Sequence, residues 1–129
     1  MISAICTENA PAAVGPYSQG VAAPGIVITS GQLPLDPKTG EFVPGGVKEQ
    51  TRQSLQNVRA VLQAAGLELG DVIKTTVFLK DIHDFQAMNT VYAEFFDGGT
   101  FPARSAVQVA ALPKDALVEI EAIARRSGV

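Results

Sequence analysis

The sequence predicts an α+β domain in which two helices cover one face of a mixed β-sheet. Two strongly β-branched segments, residues 25–32 and 72–79, are separated by a segment whose apolar residues recur at helical spacing. A second helical segment follows, and two alternating segments, residues 103–110 and 117–124, come last. Strands on both sides of two helices favour one sheet with both helices packed on the same face. The other face would stay partly apolar, and oligomerisation is the simplest way to bury it.

The first helix is predicted by a single apolar stripe. Leu55, Val58, Leu62 and Ala65 fall on one helical face, and Gly66 stands where a left-handed residue commonly ends a helix. A turn-rich stretch over residues 34–46 precedes this helix and predicts a hairpin-like excursion.

The second helix is predicted to begin at Asp81, whose carboxylate can cap the first free backbone amides. Residues 97–99, Asp-Gly-Gly, end it, whereas residues 9–20, punctuated by proline and glycine, are predicted to form a loop. The apolar positions of this helix are Ile82, Phe85, Met88, Tyr92, Phe95 and Phe96.

Length and composition indicate one domain over residues 1–129. Hydrophobic residues make up 47% and charged residues only 18%, which excludes a disordered chain. A net charge of −3 and a pI near 5.0 provide no basic surface for nucleic acid or anionic lipid. Cys6 is the single cysteine, and neither a signal peptide nor a membrane-spanning run is recognisable. We therefore expect a cytoplasmic protein without nucleic-acid or membrane partners.

Arg104 is the most informative residue, because it lies in a strand that runs toward an apolar interior. An arginine cannot lose its charge, so a buried Arg104 needs an anionic partner. That partner is either a carboxylate of the protein, with Glu119 and Glu121 as candidates, or the carboxylate of a substrate. The residue pattern alone leaves both alternatives open.

Several other chemistries are excluded by the residues available. His83 is the only histidine, is expected at the surface near a helix start, and lies far along the chain from Cys6. These residues supply neither a metal site nor a Cys–His or Ser–His–Asp nucleophilic set. No phosphate-cradling glycine loop is present either, and no cofactor is expected.

Five ordered motifs resemble the Rid family of reactive enamine and imine deaminases, also called YjgF-like. The resemblance extends from about Thr7 to about Ala124 and is strongest to the archetypal deaminase branch. The motifs are NAPAAVGPYSQG at 9–20, SGQLP at 30–34, KTTVFLKD at 74–81, FPARS at 101–105 and VEIEA at 118–122.

The resemblance implies a chorismate-mutase-like fold assembled as a homotrimer, with active sites at the subunit interfaces. It implies cofactor-independent hydrolysis of 2-iminoacids such as 2-iminobutanoate and 2-iminopropanoate to 2-ketoacids and ammonia. Pyridoxal-phosphate enzymes acting on threonine or serine release these substrates.

Arg104 matches the arginine that binds the substrate carboxylate in this family, and Glu119 matches the glutamate that acts on water. The planar guanidinium can hold a carboxylate through two parallel hydrogen bonds. Glu119 and Glu121 share one face of a mostly apolar strand, where desolvation should raise the proton affinity of Glu119. One carboxyl group can take the proton from water and return it to the departing amine.

The remaining site residues implied by the resemblance are substrate-binding. Tyr17 would line the pocket, Ser30 and Gly31 would offer a hydroxyl and a backbone amide, and Asn89 would contribute to the rim. Ala106 occupies a position that is often cysteine in the family. A backbone contact to the imine nitrogen would survive there, whereas any role of a thiol would be lost. Residues 97–100 form a short loop, which we expect to alter the pocket rim and the size of substrate preferred.

Two other functions compete with hydrolysis. A non-catalytic module that binds small carboxylates would use the same Arg104 pocket without turnover. An endoribonuclease or translation inhibitor is disfavoured by the acidic charge balance and by the absence of paired histidines.

Overall fold

The computed structural model describes residues 1–127, which form one mixed sheet and two α-helices. Helices α1 and α2 span Val47–Ala64 and Phe85–Phe96, and short 3₁₀ helices cover Leu69–Asp71, Ile82–Asp84 and Pro113–Asp115. The strands are β1 Ser3–Ile5, β2 Gly20–Ala23, β3 Ile26–Thr29, β4 Val72–Leu79, β5 Ala103–Gln108 and β6 Val118–Arg125.

The six strands lie in the order β1-β2-β3-β6-β4-β5. Strands β4 and β5 run parallel because α2 carries the chain back across the sheet between them, and every other neighbouring pair among the described strands is antiparallel. The sheet is therefore mixed, and β5 forms one of its edges. This architecture confirms the predicted α+β class.

Both helices pack on the same face of the sheet. The predicted stripe of α1 is confirmed, since Leu55, Val58 and Leu62 are fully buried, and Gly66 follows the helix with a φ of +81°. On the sheet side the buried residues alternate along the strands, as on β6. The β6 residues in the core are Val118, Ile120, Ala122 and Ala124.

Some element boundaries differ from those predicted. Strand β5 ends at Gln108 rather than at residue 110, because its neighbour β4 ends at Leu79, whose carbonyl already accepts the amide of Val109 at 3.0 Å. Asp81 caps the 3₁₀ turn that precedes α2, where its carboxylate accepts the backbone amide of His83 at 2.9 Å. Strands β1 and β2 were not predicted, and the loop predicted over residues 9–20 ends where β2 begins.

The second face of the sheet carries exposed apolar side chains. Ile28 and Val107 are 46% and 44% exposed, and Phe78 between them is only partly covered. The predicted partly apolar face is therefore confirmed. None of the helices within residues 1–127 is long and apolar enough to cross a membrane.

Candidate active site

Arg104 lies on β5, and its side chain points toward α2. Its Nη1 atom donates a 2.7 Å hydrogen bond to Oδ1 of Asn89. The guanidinium carbon lies 4.7 Å from the ring centroid of Tyr92 and 5.4 Å from that of Phe85. These three α2 residues are spaced by four and three positions, so they fall on one helical face. The arginine is therefore held by an amide and two aromatic rings.

No carboxylate within residues 1–127 pairs with Arg104. The hypothesis of a structural ion pair with Glu119 or Glu121 is therefore wrong for the described part of the chain. The guanidinium faces an open pocket of about 430 Å³. Two of the residues that line this pocket, Phe101 and Pro102, directly follow the short 97–100 loop. The pocket is lined by Asn89, Tyr92, Ala93, Phe101, Pro102 and Arg104.

Ala106 lies two residues further along β5, with its methyl group partly buried against the core. The amide of Val109 points toward β4, and successive residues of a strand direct their backbone groups to opposite sides. The backbone N–H and C=O of Ala106 therefore point away from β4, to the free edge of the sheet. Only backbone atoms of this residue can reach a ligand at that edge.

Glu119 lies on β6 and projects from the face opposite the helices. No hydrogen bond or ion pair to its carboxylate is formed within residues 1–127. Burial raises the pKa of Glu119 above its ordinary value, and the nearby charge of Glu121 raises that pKa further. Glu119 is thus a half-buried carboxylate with raised proton affinity, as the sequence predicted.

Gly31 packs directly against Glu119. A methyl group built on Gly31 would come within 2.5 Å of the Glu119 Oε2 atom, so a side chain at position 31 would force this carboxylate to move. Gly31 also lines a small pocket of about 70 Å³ together with Tyr17, which is 49% exposed. Tyr17, Gly31 and Glu119 therefore form one continuous group.

Ser30 precedes Gly31, and both its hydroxyl proton and its backbone amide are already engaged within the protein. Its Oγ donates to the carbonyl of Ser18 at 2.6 Å, and its amide donates to the carbonyl of Gln19 at 2.9 Å. The Ser30 hydroxyl oxygen can still accept a hydrogen bond from a ligand.

Arg104 and Glu119 project from opposite faces of the sheet. Thr75 of β4 is paired with both Arg104 and Ala122, so these three side chains share the helix-covered face. Phe78 is paired with Glu119, three positions further along β4, which places Glu119 on the free face. One chain thus brings together Tyr17, Gly31 and Glu119, and separately Arg104 and Asn89, but does not join the two groups.

Gln19 is a structurally important residue that the sequence analysis missed. Its Nε2 donates to the carbonyls of Thr7, Ala10 and Pro11 at 3.0, 3.2 and 2.8 Å, and its Oε1 accepts the amide of Thr7 at 2.7 Å. The side chain is almost fully buried. An amide side chain in a loop of alanines and prolines was the signal, because that backbone needs hydrogen-bond partners. Gln19 fixes the loop that carries Tyr17.

Within residues 1–127 no three His, Cys, Asp or Glu side chains are grouped to hold a metal ion. His83 is exposed and pairs with Asp81 at 2.8 Å, and Cys6 is exposed.

Comparison with known proteins identifies the family. A sequence profile described as endoribonuclease L-PSP matches residues 7–126. The chain belongs to this family. It is the Rid, or YjgF-like, family whose motifs the sequence carries, and the predicted resemblance is confirmed.

Relatives in the Rid family are similar over almost their whole length. The chain is 59% identical over 128 residues to a 2-iminobutanoate/2-iminopropanoate deaminase of Escherichia coli strain K12, covering 98% of this chain and 99% of that protein. The crystal structure of E. coli TdcF with bound serine matches with a TM-score of 0.93 at 55% identity, covering 97% of this chain and 99% of that one. The E. coli YjgF gene product also matches with a TM-score of 0.93, at 59% identity, covering 96% and 98%.

Proposed function

We propose that this protein hydrolyses reactive 2-iminoacids, including 2-iminobutanoate and 2-iminopropanoate, to 2-ketoacids and ammonia without a cofactor. The observation that carries the proposal is an arginine without a carboxylate partner in residues 1–127, facing an open pocket. The deaminase relative, 59% identical over nearly the whole chain, supports this substrate class. We place the reaction in the cytoplasm.

Arg104 binds the substrate carboxylate. Within residues 1–127 the Arg104 side chain forms one hydrogen bond, from Nη1 to Asn89, so most of the five guanidinium N–H donors remain for a ligand. Two parallel N–H···O bonds from one planar group fix the orientation of the carboxylate and hence of the adjacent C2 atom. The backbone of Ala106 at the free edge of β5 is positioned to accept a hydrogen bond from the imine nitrogen.

Glu119 transfers a proton from the attacking water to the departing amine. Its carboxylate takes a proton from water as the water oxygen bonds to C2 of the protonated imine, which gives a carbinolamine. The Glu119 carboxyl then returns that proton to the amine nitrogen, the C2–N bond breaks, and the regenerated Glu119 carboxylate takes the hydroxyl proton as the ketone forms and passes it to the released ammonia. The protonated imine and water thus become ketoacid and ammonium with no oxidant or reductant. The raised pKa of Glu119 increases its affinity for the proton that it carries between the two steps.

The complete site lies between two chains of a homotrimer. One chain supplies Tyr17, Ser30, Gly31 and Glu119, and the partner subunit's Arg104 completes the site together with Asn89 and Ala106 of that subunit. The support for this arrangement is that Arg104 and Glu119 leave one sheet by opposite faces. The free face also exposes Ile28 and Val107, which association would cover.

The proposal is tested by adding the purified protein to a threonine dehydratase reaction and following ketoacid formation. We expect faster ketoacid release with the wild-type protein, and no acceleration with Arg104→Ala or Glu119→Gln. The proposal fails if the wild-type protein leaves the rate unchanged while an established imine-hydrolysing protein accelerates it in the same buffer.

Carboxylate binding without turnover is the second candidate, and the serine-bound TdcF structure favours it as an alternative. A binding module predicts that the wild-type protein binds 2-oxobutanoate but leaves the dehydratase assay unchanged. The family description also names endoribonuclease activity. RNA cleavage that survives repurification and is lost in Glu119→Gln would support that activity, against the expectation from a net charge of −3.

A further inference from the structure

Tyr92, which lines the pocket around Arg104, is hydrogen-bonded to a buried side chain that the proposed reaction does not use directly. The hydroxyl groups of Tyr92 and Thr75 lie 2.7 Å apart and form a hydrogen bond in the protein interior. Thr75 is the residue of β4 paired with Arg104, and it is 1% exposed. The Tyr92 ring is therefore attached at its far end to the same sheet that carries the arginine.

The Tyr92 ring also lies against the Arg104 guanidinium. The guanidinium carbon is 4.7 Å from the ring centroid, within the range of a cation–π contact, and Phe85 adds a longer contact at 5.4 Å. Phe96 packs against Tyr92 with ring centroids 4.7 Å apart, which limits tilting of the ring. The ring is thus restrained by a hydrogen bond and by an aromatic neighbour.

We propose that Tyr92, held in place by Thr75, is a positioning residue that orients the Arg104 guanidinium for a substrate carboxylate. The inference rests on the proposed function and extends it. The guanidinium carbon lies over the Tyr92 ring, and within residues 1–127 the Arg104 side chain forms a single hydrogen bond, from Nη1 to Asn89. The other N–H donors, which form the fork that a carboxylate requires, therefore remain available, while the ring and the Asn89 amide limit rotation of the guanidinium.

Burial supports this role by keeping the phenol neutral. Burial raises the pKa of Tyr92, although the hydrogen bond to Thr75 and the charge of Arg104 lower it in part. The hydroxyl therefore serves as a fixed hydrogen-bonding group rather than as an acid or base at working pH.

The experiment measures the affinity of 2-oxobutanoate, a stable ketoacid, by calorimetric titration of the purified wild type and variants. Tyr92→Leu removes the ring and leaves the guanidinium free to rotate, so it should weaken binding by about tenfold, the cost of ordering one mobile side chain on binding. Tyr92→Phe keeps the ring and should restore affinity to within about threefold of the wild type. In the imine assay, Tyr92→Leu should raise KM more than it lowers kcat.

Phe95→Leu is the matched control, because it removes a ring from the same helix whose cation–π contact, at 5.4 Å, is with Arg59 rather than with Arg104. Equal affinities for Tyr92→Leu and Phe95→Leu would overturn the inference while leaving the carboxylate site intact. If Arg104→Ala also binds the ketoacid like the wild type, the proposed carboxylate site fails instead. The two failures are therefore distinguishable.

A measurement on the wild-type protein covers the case in which Tyr92→Leu does not fold. The Arg104 side-chain N–H signals, assigned by comparison with Arg104→Lys, should be shifted upfield by the Tyr92 ring current in the ligand-free protein. Signals at the positions of exposed arginines would overturn the inference.

Discussion

The carboxylate of Glu119 occupies the space that a side chain at position 31 would need. A Cβ atom on Gly31 would lie 2.5 Å from Oε2 and 2.9 Å from Cδ of Glu119. The Glu119 side chain is flexible, so a residue larger than glycine would displace the carboxylate rather than the strand. The glycine therefore sets the position of the proposed proton carrier.

Gly31→Ala should consequently lower kcat while leaving the fold intact. A displacement of about 1 Å at a reacting group costs on the order of 10²-fold in rate. The measurement is steady-state kinetics with a thermal melt of the same sample. Gly70→Ala is the control, since a methyl group there meets no atom within 4 Å. Full activity in Gly31→Ala would show that the carboxylate position is not critical.

Glu119→Gln and Glu121→Gln should separate the two glutamates of β6, which share a face. Loss of a general acid–base group lowers the rate by roughly 10²–10⁴-fold, so Glu119→Gln should lose most of kcat and Glu121→Gln little. Glu119→Gln should also resist urea at pH 7 at least as well as the wild type, because it removes a desolvated charge. Equal activities of the two variants would refute the assignment of Glu119.

The pH dependence should report the raised pKa of Glu119. The carboxylate form starts the reaction, so kcat/KM should rise with pH through a pKa above the ordinary 4.5. Because Glu121 contributes to the increase, Glu121→Gln should move this acid limb to lower pH.

The same titration affects stability in the opposite direction. The folded protein holds this proton more tightly than the unfolded chain, so the contribution of Glu119 to stability is fully present below pH 4.5 and is lost as pH rises through the folded pKa. Urea unfolding of the wild type and Glu119→Gln across this range measures it. A difference between the two proteins that does not change with pH would contradict the prediction.

Mixing two inactive variants should restore activity if each site is shared by two chains. Arg104→Ala chains keep Glu119, and Glu119→Gln chains keep Arg104. After denaturation and refolding of an equal mixture, about one quarter of the interfaces should contain both wild-type residues. Each variant refolded alone is the control. Absence of recovery in mixed oligomers would place both residues of a site in the same chain.

Gln19→Leu should destabilise the loop that carries Tyr17. Four backbone groups of residues 7–11 lose their hydrogen-bond partner in this variant. Each buried group left unpaired typically costs about 1–3 kcal/mol when no water molecule can replace the lost partner. The unfolding free energy in urea should fall by several times the change seen in Gln63→Leu, an exposed glutamine on α1. Both proteins must be compared at one concentration, because the proposed association would contribute to stability. A loss no larger than that of the control would refute this role.

Periodicity predicted the elements with strong apolar patterns, namely both helices and strands β3 to β6. It did not predict β1 and β2, which contain three and four residues and are composed mainly of alanine, glycine and serine. Such residues have weak strand propensity, and pairing with β3 stabilises these segments only in the folded chain.

The sequence also predicted the candidate residues but not their grouping. Alternation along β5 and β6 indicates which residues of each strand share a side. Whether Arg104 and Glu119 face the same side of the sheet depends on the pairing of both strands with β4. That register is set by long-range contacts. For the same reason, the contact of Tyr92 with Arg104 could not be predicted from the residue pattern.

The opposite orientation of Arg104 and Glu119 has a consequence for how activity depends on protein concentration. Under the proposed mechanism, a lone chain holds half of each of two sites and catalyses nothing. Specific activity should therefore fall on dilution to concentrations at which the trimer dissociates. Under the proposed mechanism, catalysis therefore requires assembly of the trimer.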